Sequence, residues 1–187
     1  MATTLVQDAR ILTERILAEL PERLAHSQAV AARAQALAVT VPASAADTVI
    51  SAAWLHDVGY ARSLRDSGFH PLDGARFLRR QGWPEPVCAL VAHHSGSRFV
   101  ARVLGLDAPL EAFTFVEDAE SDAVTVADNT AGPHGTIMTI EERLGDKASR
   151  HGPDSPNRRA NPERDDYIRA AGRRVQARLT GDAAPEC

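Results

Sequence analysis

The chain has 187 residues, 44% hydrophobic and 25% charged, the composition of a soluble globular domain. A formal net charge of -4 offers no electrostatic case for a nucleic-acid polymer or an anionic membrane surface. Cys88 and Cys187 make no disulfide framework, no apolar run approaches the ~20 residues that span a bilayer, and no signal-peptide pattern opens the chain. A cytoplasmic location is the expectation.

Residues 4–20 carry Leu5, Ala9, Leu12, Ile16 and Leu20 as a helical stripe. Pro21 suits the first turn of a second helix running to about Thr40. In it His26 shares a face with Val30 and Leu37, while Arg23 and Gln35 are read as pointing elsewhere. Pro42 breaks the chain, and Ser44 reads as the N-cap of a third helix that ends in His56-Asp57. Gly59 suits the left-handed position that closes a helix. Ile50, Ala53 and Trp54 share a face with Asp57, so this carboxylate is expected against the core, a costly place unless a cation meets it.

Residues 61–69 read as a loop. His70-Pro71 opens a helix to Leu78, with Asp73 near its positive end. A helix over 85–94 carries Val87, Leu90, Val91 and His94 on one face, and another over 98–104 ends at Gly105. Periodicity leaves 110–116 open between helix and strand. Residues 121–131 place Val124, Ala127, Asp128 and Ala131 at helical spacing, stopped by the segment that reaches Pro133. Thr139 and Glu142 form a capping-box pattern for a helix to about Arg150, and Asn161-Pro162 starts the last helix. The tail 181–187 reads as frayed. The fold class is all-α: a single compact multi-helix domain over 1–187, its core about 21–160, with helices 4–20 and 162–180 packed on it.

Five elements put a metal-type ligand on or beside an apolar face: His26, His56-Asp57, His70, His93-His94 and Asp128. Alone, each has a plain structural reading, since His26 suits a core histidine, Asp128 a C-terminal cap and His70 an N-cap. Together they hold five of the seven histidines. Imidazole plus carboxylate suits divalent first-row metals, and the cysteine count excludes a thiolate site.

This ordered set resembles the HD-domain metal-dependent phosphohydrolases, whose pattern is H…HD…D, with extra histidines in dinuclear members. The resemblance covers roughly 21–160 and implies an all-α HD-domain bundle. It implies that His26, His56, Asp57 and Asp128 hold a first metal, and that Asp57 bridges to a second held by His70, His93 and His94. His56 and Asp57 are then the catalytic pair. A carboxylate has two oxygens and can span two cations. Two divalent ions are implied, of Fe, Mn, Co, Ni or Zn type with Mg also allowed, and a hydroxide shared between them would attack a phosphomonoester or phosphodiester. The partner is then a small phosphorylated metabolite or nucleotide; a homodimer is left open.

Two departures qualify the resemblance. Many relatives continue the doublet with Ile-Gly-Lys, where this chain has Val58, Gly59 and Tyr60; and Ser95-Gly96 follows the histidine pair without the Gly-Tyr-Pro motif of the cyclic-di-GMP branch. Phosphate recognition is expected from arginines near the doublet and the pair, Arg98 first by proximity, then Arg102 and Arg62, with Arg65 beside it. Thr130 is read as orienting Asp128 or capping its helix. Trp54 and Trp83 read as core; Arg158, Arg159, Arg173 and Arg174 read as solvated. Two other readings stay open: a mixed-valent di-iron oxygenase on a similar ligand set, and a non-catalytic nucleotide sensor.

Overall fold

The computed structural model describes residues 4–132, 136–150, 152 and 154–181. The expected frayed tail, Cys187 and the Pro133 stop lie outside the described residues. Those described form ten α-helices joined by short 3-10 turns: α1 (Leu5–Ile16), α2 (Pro21–Leu37), α3 (Ala46–Leu55), α4 (His70–Arg80), α5 (Glu85–His93), α6 (Ser97–Leu104), α7 (Asp107–Glu111), α8 (Ala119–Thr130), α9 (Ile140–Arg150) and α10 (Pro156–Thr180). Among the described residues there is no β-sheet, only a single bridge between Ala131 and Ile137. The all-α expectation holds.

Helix α8 is the axis of the fold. Its N-terminus is closed by a reciprocal cap, in which Asp118 accepts from the Ser121 backbone and Ser121 accepts from that of Asp118. From Ser121 to Thr130 every residue is buried. Helices α2, α3 and α10 pack around it, α1 packs on α3, and α4 packs on α5. One core cluster runs through Val30, Leu37, Leu55, Leu72, Leu78 and Ala127, with Trp54 and Trp83 half-buried against it.

Several local expectations are corrected. Ser44 does not cap α3: a 3-10 turn over Ala43–Ala45 feeds the helix directly, with no side-chain cap. Gly59 is not left-handed; it lies in the 3-10 turn Val58–Tyr60. It must be glycine because a Cβ there would stand 2.0 Å from the His70 carbonyl oxygen and 2.7 Å from the Gly74 nitrogen. The turn therefore lies directly on the start of α4. Residues 110–116 resolve into the end of the short α7 and irregular chain. The last helix starts at Pro156, where Ser155 accepts from the Arg158 backbone, and Pro162 lies inside it. Arg174 is not solvated, because with Arg178 it grips Asp122, a fully buried carboxylate on α8.

Candidate metal centre

The ends of α3 and α5 and one face each of α2, α4 and α8 meet at a cleft of about 510 Å³. His26 comes from the first half of α2, Asp128 from the last turn of α8, and His70 is the first residue of α4. His56 and His94 stand just past the last turns of α3 and α5. Their ring Nδ1 atoms lie 2.8 Å from the Ala53 carbonyl and 2.7 Å from the Val91 carbonyl, in each case three residues back. A ring whose Nδ1 donates to a carbonyl keeps the lone pair on Nε2, which here faces the cleft. Both histidine rings are thus oriented by their own helix ends.

Six side chains fall into two groups whose ligand atoms lie within 4.8 Å of one another: His26, His56 and Asp128, and Asp57, His70 and His94. His26 Nε2 is 2.8 Å from Asp128 Oδ1. Asp57 Oδ1 lies 3.4 Å from Nε2 of His56 in one group and 3.4 Å from Nε2 of His70 in the other. His70 and His94 bring their Nε2 atoms to 3.3 Å.

A buried imidazole nitrogen whose lone pair meets no donor is costly unless a cation takes it. His56 Nε2 has no hydrogen-bond partner although it is buried. Burial, with neighbouring His56, pushes His94 down to about 4, and burial takes His70 well below its ordinary value. Both rings are then neutral, the form that binds metal. Against burial, which raises it, Asp57 is held well below the carboxylate range by its neighbours, His56 first and Arg23 among them. Asp128 is held low, against the same opposition, mainly by Lys147 and His26. Neutral imidazoles and ionised carboxylates with an orphaned, inward-facing nitrogen fit divalent metal ions.

His93, expected as a ligand, belongs to neither group. Its Nε2 lies 2.7 Å from the Phe113 carbonyl and its ring is tilted against Phe115, facing away from the cleft cluster. His93 is the last residue of α5 and bonds the Phe113 carbonyl, whereas His94 leaves the helix with ψ 146°, so the two rings face different surroundings.

The expected phosphate binders lie elsewhere. Arg98 is folded among Phe99, Phe115 and Tyr167, with its guanidinium carbon 4.1 Å from the Phe115 ring centre. Arg102 is exposed and pairs with Glu163 at 3.1 Å, and Arg62 and Arg65 are exposed outside the cleft. Thr130 neither orients Asp128 nor caps α8; its hydroxyl donates to the Val126 carbonyl and accepts from Arg33.

Other cations line the cleft. Arg23, read as pointing away, donates to Asp57 Oδ2 at 3.3 Å and stands 4.0 Å over the Tyr60 ring, which stacks on His70. It precedes His26 by three residues, a spacing that puts both on one side of α2 and could have flagged it. Burial, with Asp57, holds the Tyr60 phenol above its usual range. Lys147, the chain's single lysine, donates to Asp128 Oδ2 at 3.1 Å and to Asn129 Oδ1 at 2.9 Å. Ser95 also donates to Asp128 Oδ2 and accepts from the Asn129 amide. No sequence signal marks Ser95 beyond its place after His94.

A search of curated proteins and a search of solved structures returned no match. The family model of the HD domain matches residues 23–151, more than half of the chain. That span begins at the arginine beside Asp57 and contains all six clustered histidine and aspartate side chains. The chain belongs to the HD-domain family.

Proposed function

We propose that the protein is a metal-dependent phosphohydrolase that cleaves a phosphomonoester or phosphodiester of a small metabolite or nucleotide. The observation that carries this reading is the meeting of six metal-type ligands and a cationic rim in one cleft. In this reading His26, His56 and Asp128 would hold one divalent ion, and Asp57, His70 and His94 would hold a second. Asp57 Oδ1 stands 3.4 Å from both His56 and His70, so it is the carboxylate that would be shared.

Bound metals supply acidification of the attacking water and stabilisation of charge on the phosphoryl oxygens. The chain's own groups do the rest. Arg23, fixed by Asp57 and the Tyr60 ring, presents a guanidinium fork to the phosphate from the α2 side. Lys147 holds Asp128 in orientation and adds a point charge from the α9 side. The di-iron oxygenase alternative uses the same ligand types. The cationic rim suits an anionic substrate, which favours hydrolysis.

The test is elemental analysis of protein purified without added metal, together with phosphate release from a panel of mono- and diesters, with and without O2. Bound metal and release in the absence of O2 are expected. Asp57→Ala should lower metal content and turnover together, turnover by about 100-fold or more. Product formation that requires O2 would move the protein to the oxygenase class. Tight nucleotide binding with no turnover in any metal would make it a sensor.

A further inference from the structure

Among the described residues, five cationic side chains line the cleft, against two carboxylates, Asp57 and Asp128. Four of the five form one wall: Arg143, Lys147 and Arg150 from α9, and Arg164 from α10. This wall is poorly neutralised. Arg143 and Arg150 share a single carboxylate, Asp146. The ion-pair partner of Arg164 is Asp165, whose oxygen stands 3.8 Å from Nε, beyond hydrogen-bond reach.

The guanidinium of Arg164 is held in place by neutral groups. Its terminal nitrogens donate to the amide oxygens of Asn157 at 2.8 Å and Asn161 at 2.6 Å, which fix the fork without cancelling its charge. Arg143 and Arg164 are only 5% and 7% exposed, and Nε of each is buried with no hydrogen-bond partner. Arg143 shares its one carboxylate and Arg164 has none within hydrogen-bond reach, and a buried guanidinium so placed is unfavourable unless an anion completes it. The first turn of α10, Pro156 and Asn157, lines the same wall and adds the positive end of a 25-residue helix. Lys147 joins this wall to the His/Asp cluster through its bond to Asp128.

We propose that Arg143, Lys147 and Arg164 form a second anion site beside the metal cluster, so that the substrate carries a phosphate in addition to the one that is cleaved. The substrate class is a small molecule with two phosphoryl groups. That class rests on the phosphohydrolase reading; the anion site does not.

Two measurements test it. The first is calorimetric titration of metal-free protein with inorganic phosphate. One saturable phosphate per chain is expected, weakened about tenfold or more in Arg164→Gln and in Arg143→Gln. Arg102→Gln, whose guanidinium pairs with Glu163 outside the cleft, should bind as the unaltered chain does. Absence of binding, or equal binding in all the variants, overturns the site. Should a Gln variant fail to fold, Arg164→Lys keeps the charge without the fork and should show an intermediate loss; binding equal to the unaltered chain overturns the role of the fork. The second compares kcat/KM of the metal-loaded enzyme for a nucleoside 3′,5′-bisphosphate and a 5′-monophosphate. Arg164→Gln should lose about tenfold more on the bisphosphate, and an equal loss on both overturns the substrate class. The phosphate titration needs no turnover, so failure of the anion site and failure of the hydrolase reading are told apart.

Discussion

Ser95 shows how much one residue carries at this site. It sits at φ 52°, the one non-glycine residue with positive φ among those described. That conformation costs about 1–2 kcal/mol for a residue with a Cβ. Its hydroxyl donates to Asp128 and accepts from Asn129, so the strained turn orients a carboxylate of the cluster. Ser95→Ala should keep the fold and weaken metal binding about tenfold, read by competition with a coloured chelator. Unchanged affinity would mean that His26 and Lys147 suffice to orient Asp128. Gly59 is the other exacting position, set by close approach and not by its φ. Gly59→Ala should destabilise by about 3 kcal/mol, seen as a lower urea midpoint, because backbone atoms of His70 and Gly74 occupy the space of the methyl. An unchanged midpoint would mean that the turn and α4 separate freely.

At the scale of elements, α8 does two jobs on different faces. One face carries Asp128 to the cleft; the other carries Asp122 to Arg174 and Arg178 of α10. Asp122→Ala leaves two guanidinium groups without their buried partner and should cost about 3–5 kcal/mol in urea unfolding. A loss below about 1 kcal/mol would show that the pair is solvated in solution. The proline reading of α10 failed for a definable reason. A proline suits a first turn, and both Pro156 and Pro162 qualify locally; Ser155, whose hydroxyl accepts from the Arg158 backbone, sets the actual start. The capping box of α9 was legible because both partners are local: Glu142 accepts from the Thr139 backbone, and Thr139 accepts from that of Glu142.

For the whole molecule, the ligand cluster joins segments far apart in the chain, and His26 meets Asp128 across 102 residues. A metal bound there ties α2, α3, α4, α5 and α8 together and stabilises only the folded chain. Removal by a chelator should lower the melting temperature, and free metal at about 1,000 times its Kd should restore about 4 kcal/mol, or about 10 °C. Scanning calorimetry with and without metal checks this, and an unmoved transition would mean that the cluster binds no ion. The same assembly explains why six of the seven expected ligands meet while His93 does not. Histidines and carboxylates on apolar faces are unusual enough to be found singly, but whether a given ring meets the others depends on its tertiary partner, which for His93 is the Phe113 carbonyl.

The sequence by itself determined the helical class, most helix boundaries within a few residues, and the identity of the six side chains that cluster. These follow from local periodicity, local caps and the chemical rarity of polar groups on apolar stripes. Only the tertiary structure decided which cations face the cleft. Arg98, close to His94 in the chain, is enclosed by aromatic rings, whereas Lys147 and Arg164 arrive from helices beyond Asp128. Proximity along a chain places groups on one element; proximity in space depends on how elements pack, and no local pattern encodes that.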